Sequence, residues 1–231
     1  MGSSPTFRTT SRSMSTRPNI LLINPCIYDF TAYDFWLRPL GLLYIAGVLK
    51  KYARVNLRFI DCLDRHHPLL PKTLKTAPDG RGPLFKQEVE KPEVLGDIPR
   101  RYSRYGIPVE VFRAELRKAG RPDLVLLTCT MTYWYPGVRA VVEILQETWG
   151  NVPVLLGGVY PTLLPEHALS ATGVDAVCRG PGEKKILSLV REFLGDRVCT
   201  PVEINTLAEM PFPAFDMMRD TEVLPILTSR G

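Results

Sequence analysis

The most constraining stretch of the chain is residues 122–162, PDLVLLTCTMTYWYPGVRAVVEILQETWGNVPVLLGGVYPT. It holds two short apolar runs, at 123–127 and 154–156. Between them Val138, Val141, Val142, Leu145 and Trp149 recur at helical spacing. A short continuous apolar run predicts a strand buried on both faces, and two such strands joined by a helix predict a right-handed parallel βαβ unit. In open parallel sheets, ligands bind outside the carboxyl ends of the strands. The polar loop 128–136 and the glycine pair Gly157-Gly158 fall on that edge.

The same alternation extends both ways. NILLIN at 19–24 predicts strand one, followed by an aromatic-rich loop at 25–39. A helix is expected over 40–52, with small residues on one face and Lys50-Lys51 near its carboxyl end, where cations suit the helix dipole. Strand two is expected at 55–60. Residues 62–108 interrupt the rhythm with seven prolines and four glycines, and are expected to form an irregular insert. A helix follows at 108–119. After the central unit come a short helix at 165–170, strand five at 175–178, a helix at 184–194 and a small ribbon at 198–204. Five strands alternating with helices predict a doubly wound parallel sheet in the flavodoxin-like order 2-1-3-4-5. Residues 206–231 then form a proline-marked linker and, at 223–228, a further strand with nothing left in the chain to pair with.

Composition narrows the class. Apolar content of 45% and charge of 23% describe a globular chain. No apolar run reaches the ~18 residues that suggest a membrane span. The net charge is +5, but Arg8, Arg12 and Arg17 in the tail account for three units, leaving +2 for the rest. That disfavours nucleic acid as a partner. The Ser/Thr/Arg-rich tail 1–18 is expected to be disordered, or an overlong start ahead of Met14; an organelle transit peptide is the less favoured alternative. Five cysteines without a CxxC pair point to a reducing, cytoplasmic compartment and to buried thiols.

Several chemistries are absent. The loop after strand one, NPCIYDF, lacks GxGxxG, which disfavours dinucleotides, and there is no GxxxxGK[ST]. Asn24-Pro25 and Gly180-Pro181-Gly182 do not supply the acidic and lysine residues of a phosphoacceptor receiver. No Ser/His/Asp set is suggested, and no catalytic or metal-ligating residues are assigned. What remains on the ligand edge is small or hydroxylic: Thr128, Thr130, Thr132, Gly157, Gly158, Gly180 and Gly182. Glycines permit close backbone approach, and a helix opening at Gly182 offers free N–H groups to a polar ligand. Tyr28, Tyr33, Phe35 and Trp36 suggest a large, flat, partly apolar ligand.

These pieces occur in a telling order: NPCIYDF and RPLGLLYIAGVLKK, then LLTCTMTYWYPG, LLGGVYPTLLPE, DAVCRGPGEKKI, MPFPAFDMM and the terminal ILTSRG. In that order they resemble the amino-terminal cobalamin-binding domain of cobalamin-dependent radical S-adenosylmethionine enzymes, over roughly residues 19–231. The resemblance implies a Rossmann-like cobalamin-binding domain at 19–205, with 206–231 leading into a radical S-adenosylmethionine barrel in cis. It implies cobalamin as the cofactor. Thr128, Thr130 and Met131 would line the corrin or the nucleotide tail. Gly157, Gly158, Tyr160 and Thr162 would pack around the buried tail, flanked by Gly180, Gly182 and Glu183. Tyr28 and the loop to Arg38 would approach the corrin face.

Two departures from related patterns stand out. The DxHxxG whose histidine ligates cobalt in cobalamin mutases is missing after strand one, so no histidine is expected on the lower cobalt face. The CxxxCxxC that holds a [4Fe–4S] cluster is absent too, so this chain is not expected to bind the cluster or cleave S-adenosylmethionine by itself. The alternatives are a non-catalytic interaction domain that kept the fold and lost the ligand, and RNA binding through Arg100, Arg101, Arg104, Tyr102 and Tyr105.

Overall fold

The computed structural model describes residues 17–71, 75–199, 202–204, 206 and 209–226. Five parallel strands form the central sheet: β1 (Asn19–Asn24), β2 (Asn56–Asp61), β3 (Leu124–Thr128), β4 (Val154–Gly157) and β5 (Ala176–Val177). Their spatial order is 2-1-3-4-5, as expected. The helices are α1 (Leu40–Tyr52), α2 (Val109–Ala119), α3 (Tyr135–Trp149), α4 (Val159–Leu163), α5 (Pro165–Thr172) and α6 (Gly182–Leu194).

Strand alternation explains why helices cover both faces. Leu21 and Ile23 of β1, Val125 and Leu127 of β3, and Val154 and Leu156 of β4 face one side. There they meet Phe112 and Leu116 of α2 and Val138, Val141, Val142 and Leu145 of α3. The intervening Ile20, Leu22, Leu124, Leu126 and Leu155 face the other side, against Leu42, Ala46 and Leu49 of α1 and Ile186, Leu187 and Val190 of α6. The period of two along each strand thus splits one apolar run between two cores.

Register aligns the carboxyl ends. Asn24 pairs with Asp61, and Thr128 with Gly157. Both strand ends that deliver loops to the ligand edge therefore stop at the same height.

Four expectations change. Residues 25–39 and the insert are not simply irregular. Ile27–Asp29, Ser103–Tyr105 and Lys86–Glu88 make a three-stranded antiparallel sheet, and Tyr33–Asp34 pairs with Gly82–Pro83. Strands of two or three residues carry too little periodicity to be read from sequence, and their partners lie far apart along the chain. The ribbon expected at 198–204 is absent among the described residues: Asp196–Val198 is a 3-10 turn, and Cys199 makes one isolated bridge to Ala53. The linker is docked rather than free. The Ala214 N–H donates to the Leu43 carbonyl, and Asp216 pairs with Lys50, both on α1. Residues 223–226 form no strand. The rest of that expected strand, with the TSRG end, falls outside the described residues, as does nearly all of the tail.

The basic run in the insert is not a continuous surface. Arg104 is buried and donates from Nη1 to the Ile107 carbonyl at 2.5 Å, while Tyr102 and Tyr105 are also buried. Only Arg100 and Arg101 are exposed, and Arg101 faces Glu88. Among the described residues, no helix is long and apolar enough to cross a membrane.

Candidate functional site

The β3–α3 and β4–α4 loops meet at one backbone clamp. The Cys129 N–H donates to the Gly157 carbonyl at 3.0 Å, and the Tyr160 N–H donates to the Cys129 carbonyl at 3.1 Å. Gly158 sits between them at φ +105°, where a Cβ would stand 2.5 Å from the Cys129 carbonyl oxygen. Only glycine satisfies both the backbone angle and the contact.

Beside this clamp, between α1, α6 and the carboxyl ends of β3 and β4, lies a cavity of about 170 Å³. Leu42, Ile45, Leu126, Leu155 and Ile186 give it apolar walls, and glycines at 41, 157, 158, 180 and 182 leave it room. Cβ atoms at Gly41 and Gly180 would meet nothing within 4 Å, whereas one at Gly182 would come within 3.1 Å of Ile45 Cδ1. Polar side chains at the wall are Thr128 and the buried Glu183. Pro181 precedes α6, a 13-residue helix, and supplies no side-chain cap to its first-turn N–H groups. An apolar slot with a few polar groups at its mouth suits a flat heteroaromatic group carrying a polar or anionic linker.

A second, smaller cavity of about 50 Å³ adjoins the loop after β1. Thr128 borders both cavities, and Asn24, Arg38, Thr130 and Trp134 line the smaller one. Trp134 is fixed by a 3.0 Å hydrogen bond from Nε1 to Asp29.

The expected site residues therefore divide. Thr128, Gly157, Gly158, Gly180, Gly182 and Glu183 line the larger cavity. Thr130 and Arg38 reach the smaller one, and Met131 is exposed on the loop beside it. Arg38 is committed elsewhere, bridging Asp34 and Asp220 at 3.2 Å each. Tyr160 lines neither cavity. It is fully buried on the opposite face of the sheet, and its hydroxyl lies 2.7 Å from His167 Nδ1. Burial, with smaller contributions from Cys129 and Tyr135, pushes its phenol up to about 12. Tyr28 packs against Tyr102 in the insert sheet, the two rings tilted with centroids 6.4 Å apart, and also lines neither. Tyr33, Phe35 and Trp36 are exposed, and the Arg81 guanidinium lies over the Phe35 and Trp36 rings. Thr162 touches neither cavity wall directly but hydrogen-bonds to two residues that do.

The cavity residues that sequence reading passed over are Gly41, Leu42, Ile45, Cys178 and Ile186. Gly41, Leu42 and Ile45 lie on α1, Cys178 follows β5 and Ile186 lies on α6. The thiols are buried and free, and burial raises Cys129 to about 12, so it stays protonated near neutrality. The histidines lie elsewhere: His66 near Asp220, His67 near Glu115, and His167 on Tyr160. Among the described residues, no cluster of three or more His, Cys, Asp or Glu side chains is arranged to hold a metal ion.

Comparison with known proteins bears on this site. Residues 102–190 match the family described as B12 binding domain. The anaerobic magnesium-protoporphyrin IX monomethyl ester cyclase of Rubrivivax gelatinosus is 32% identical over 85 residues, covering 34% of this chain and 15% of that protein. A solved structure of a radical S-adenosylmethionine methyltransferase, TsrM, from Kitasatospora setae, with tryptophan substrate and the SAM analog aza-SAM bound, aligns with a TM-score of 0.51. That alignment is 15% identical and covers 78% of this chain and 26% of the other, so it speaks for the fold. The chain spans less than a third of the length of either relative.

Proposed function

We propose that this chain, whose residues 102–190 match the B12 binding domain family, binds a cobalamin across the carboxyl edge of its sheet. The nucleotide tail would enter the cavity between α1 and α6. The corrin would lie over the loops after β1 and β3, near Thr128, Thr130 and Met131. The observation that carries this reading is the apolar slot itself, which is open, glycine-walled and located where parallel sheets bind ligands. Gly157, Gly158, Gly180 and Gly182 would admit the tail, while Leu42, Ile45 and Ile186 would exclude water around its base. The uncapped start of α6 would receive the polar link.

Bound cobalamin would supply methyl-group or radical chemistry. The enzyme would be of the radical S-adenosylmethionine kind, with its [4Fe–4S] cluster and S-adenosylmethionine held by a barrel joined in cis. This chain's part would be to bury the tail and present the corrin. The solved methyltransferase structure supports that wider reading by its title and its fold.

The test is retention of hydroxocobalamin. Purified chain mixed with it and passed through gel filtration should keep the visible spectrum of the cofactor. Gly41→Phe should lose at least about tenfold in affinity, because its ring would fill the slot from a position with no atom in its way. A folded wild-type chain that retains no cobalamin would sink the reading in favour of an interaction domain without the ligand. Equal affinity in Gly41→Phe would move the tail out of this cavity.

A further inference from the structure

The two glycine loops that wall the cavity have little of their own to fix their separation. The ladder between β4 and β5 ends with the Cys178 N–H donating to the Leu156 carbonyl at 2.8 Å. Beyond that point one chain turns through Gly157-Gly158 into α4, and the other through Gly180-Pro181 into α6. Gly158 and Gly180 both adopt positive φ, at +105° and +76°, and neither carries a side chain to brace the gap. The first loop is clamped toward β3 through Cys129, on the side away from Gly180.

The Thr162 hydroxyl crosses the gap. Thr162 Oγ1 donates to the Gly158 carbonyl at 2.8 Å and accepts from the Gly180 N–H at 3.0 Å. It is half-buried at the carboxyl end of α4. Both of its partners line the cavity, and Thr162 does not. The donor and the acceptor capacity of one hydroxyl are thus spent on opposite lips of the slot, a task that needs an O–H at this position and not merely its volume.

We infer that Thr162 is a positioning residue that sets the aperture of the slot, acting on the ligand through Gly158 and Gly180 rather than by contact. The inference rests on the cofactor reading above. It separates Thr162 from Gly157 and Gly182, which line the slot and would meet the ligand directly, and it makes α4 the element that carries spacing information from β4 to α6.

The test pairs Thr162→Val, which keeps the shape and removes the hydroxyl, with Thr162→Ser, which keeps the hydroxyl. Three quantities are read in each: hydrogen exchange of the Gly180 amide, affinity for hydroxocobalamin, and affinity for cobinamide, which has the corrin without the nucleotide tail. A net hydrogen bond corresponds to about a tenfold change in an equilibrium. The valine variant should therefore show exchange at Gly180 about tenfold faster and cobalamin binding about tenfold weaker, with cobinamide affinity within about twofold. The serine variant should match wild type in all three. Unchanged cobalamin affinity in the valine variant, or an equal loss for both ligands, overturns the inference. So does unchanged exchange at Gly180. If the wild-type chain itself retains no cobalamin, the cofactor reading fails and takes the positioning role with it. That case is told apart because exchange at Gly180 still differs between the valine and serine variants.

Discussion

Gly158 and Asp61 show how single residues on the carboxyl edge are fixed by what surrounds them. Gly158 combines a φ of +105° with a Cβ position 2.5 Å from the Cys129 carbonyl oxygen, a backbone atom held in the β3 loop. Gly158→Ala should therefore destabilise the fold by about 1–3 kcal/mol, read as a lower urea midpoint. Gly180→Ala, with a similar φ but open space around its Cβ, should cost less. Asp61 ends β2, accepts hydrogen bonds from Asn24 Nδ2 at 2.7 Å and from the Leu63 N–H at 2.9 Å, and is half-buried. Burial pushes its carboxyl up to about 6, against the lowering effect of those two donors. A folded-state value above the unfolded one means its stabilising contribution is complete below about pH 4 and lost as pH rises through about 6. Asp61→Asn keeps the Oδ1 acceptor and removes the charge. Its stability relative to wild type should rise by up to about 3 kcal/mol between pH 4 and pH 7.5, measured by urea titration at both ends. An unchanged difference across that range would mean that Asp61 titrates normally.

At the scale of elements, α1 does two jobs. One flank supplies Gly41, Leu42 and Ile45 to the cavity, and another is covered by the segment around residues 209–220. Gly47 marks the second contact: a Cβ there would stand 2.3 Å from the Phe212 carbonyl oxygen. Gly47→Ala improves helix propensity by about 1 kcal/mol in isolation, so any loss reports the displaced segment. Proteolysis within residues 209–220 should accelerate several-fold in that variant, with the far-ultraviolet circular dichroism retained; an unchanged cleavage rate would show that the helix accommodates the methyl group without releasing the segment. The same segment reaches the insert at Asp64 and α2 at Glu115 through Arg219, and the loop before α1 at Arg38 through Asp220. From sequence these residues look like a charged linker. Their partners come from α1, α2 and the insert, and chain separation hides such pairings.

For the whole molecule, the proposal that cobalamin binds the native sheet edge and not the unfolded chain has a thermodynamic consequence. Free cobalamin at a hundred times its dissociation constant should add about 2.7 kcal/mol of stability, seen as a raised thermal midpoint. At the same free concentration, Gly41→Phe with its affinity lowered tenfold or more should gain no more than about 1.4 kcal/mol. The sheet, its order 2-1-3-4-5 and the helices on both faces were legible in the sequence, because runs such as NILLIN and DLVLL carry their burial pattern locally and helix stripes repeat every turn. The glycines of the ligand edge were legible for the same reason: Gly157-Gly158 and Gly180-Pro181-Gly182 each break a periodic run. Tyr160 and Tyr28 could not be placed, since which face a side chain takes after a strand end depends on the turn that follows. The contribution of α1 was also hidden, because Gly41 and Ile45 become cavity walls only when α1 packs beside α6 across the sheet. Local periodicity determined the elements and their order; only the packing of distant elements decided which residues enclose the slot, that one threonine hydroxyl spans its two lips, and that the basic run of the insert turns inward at Arg104.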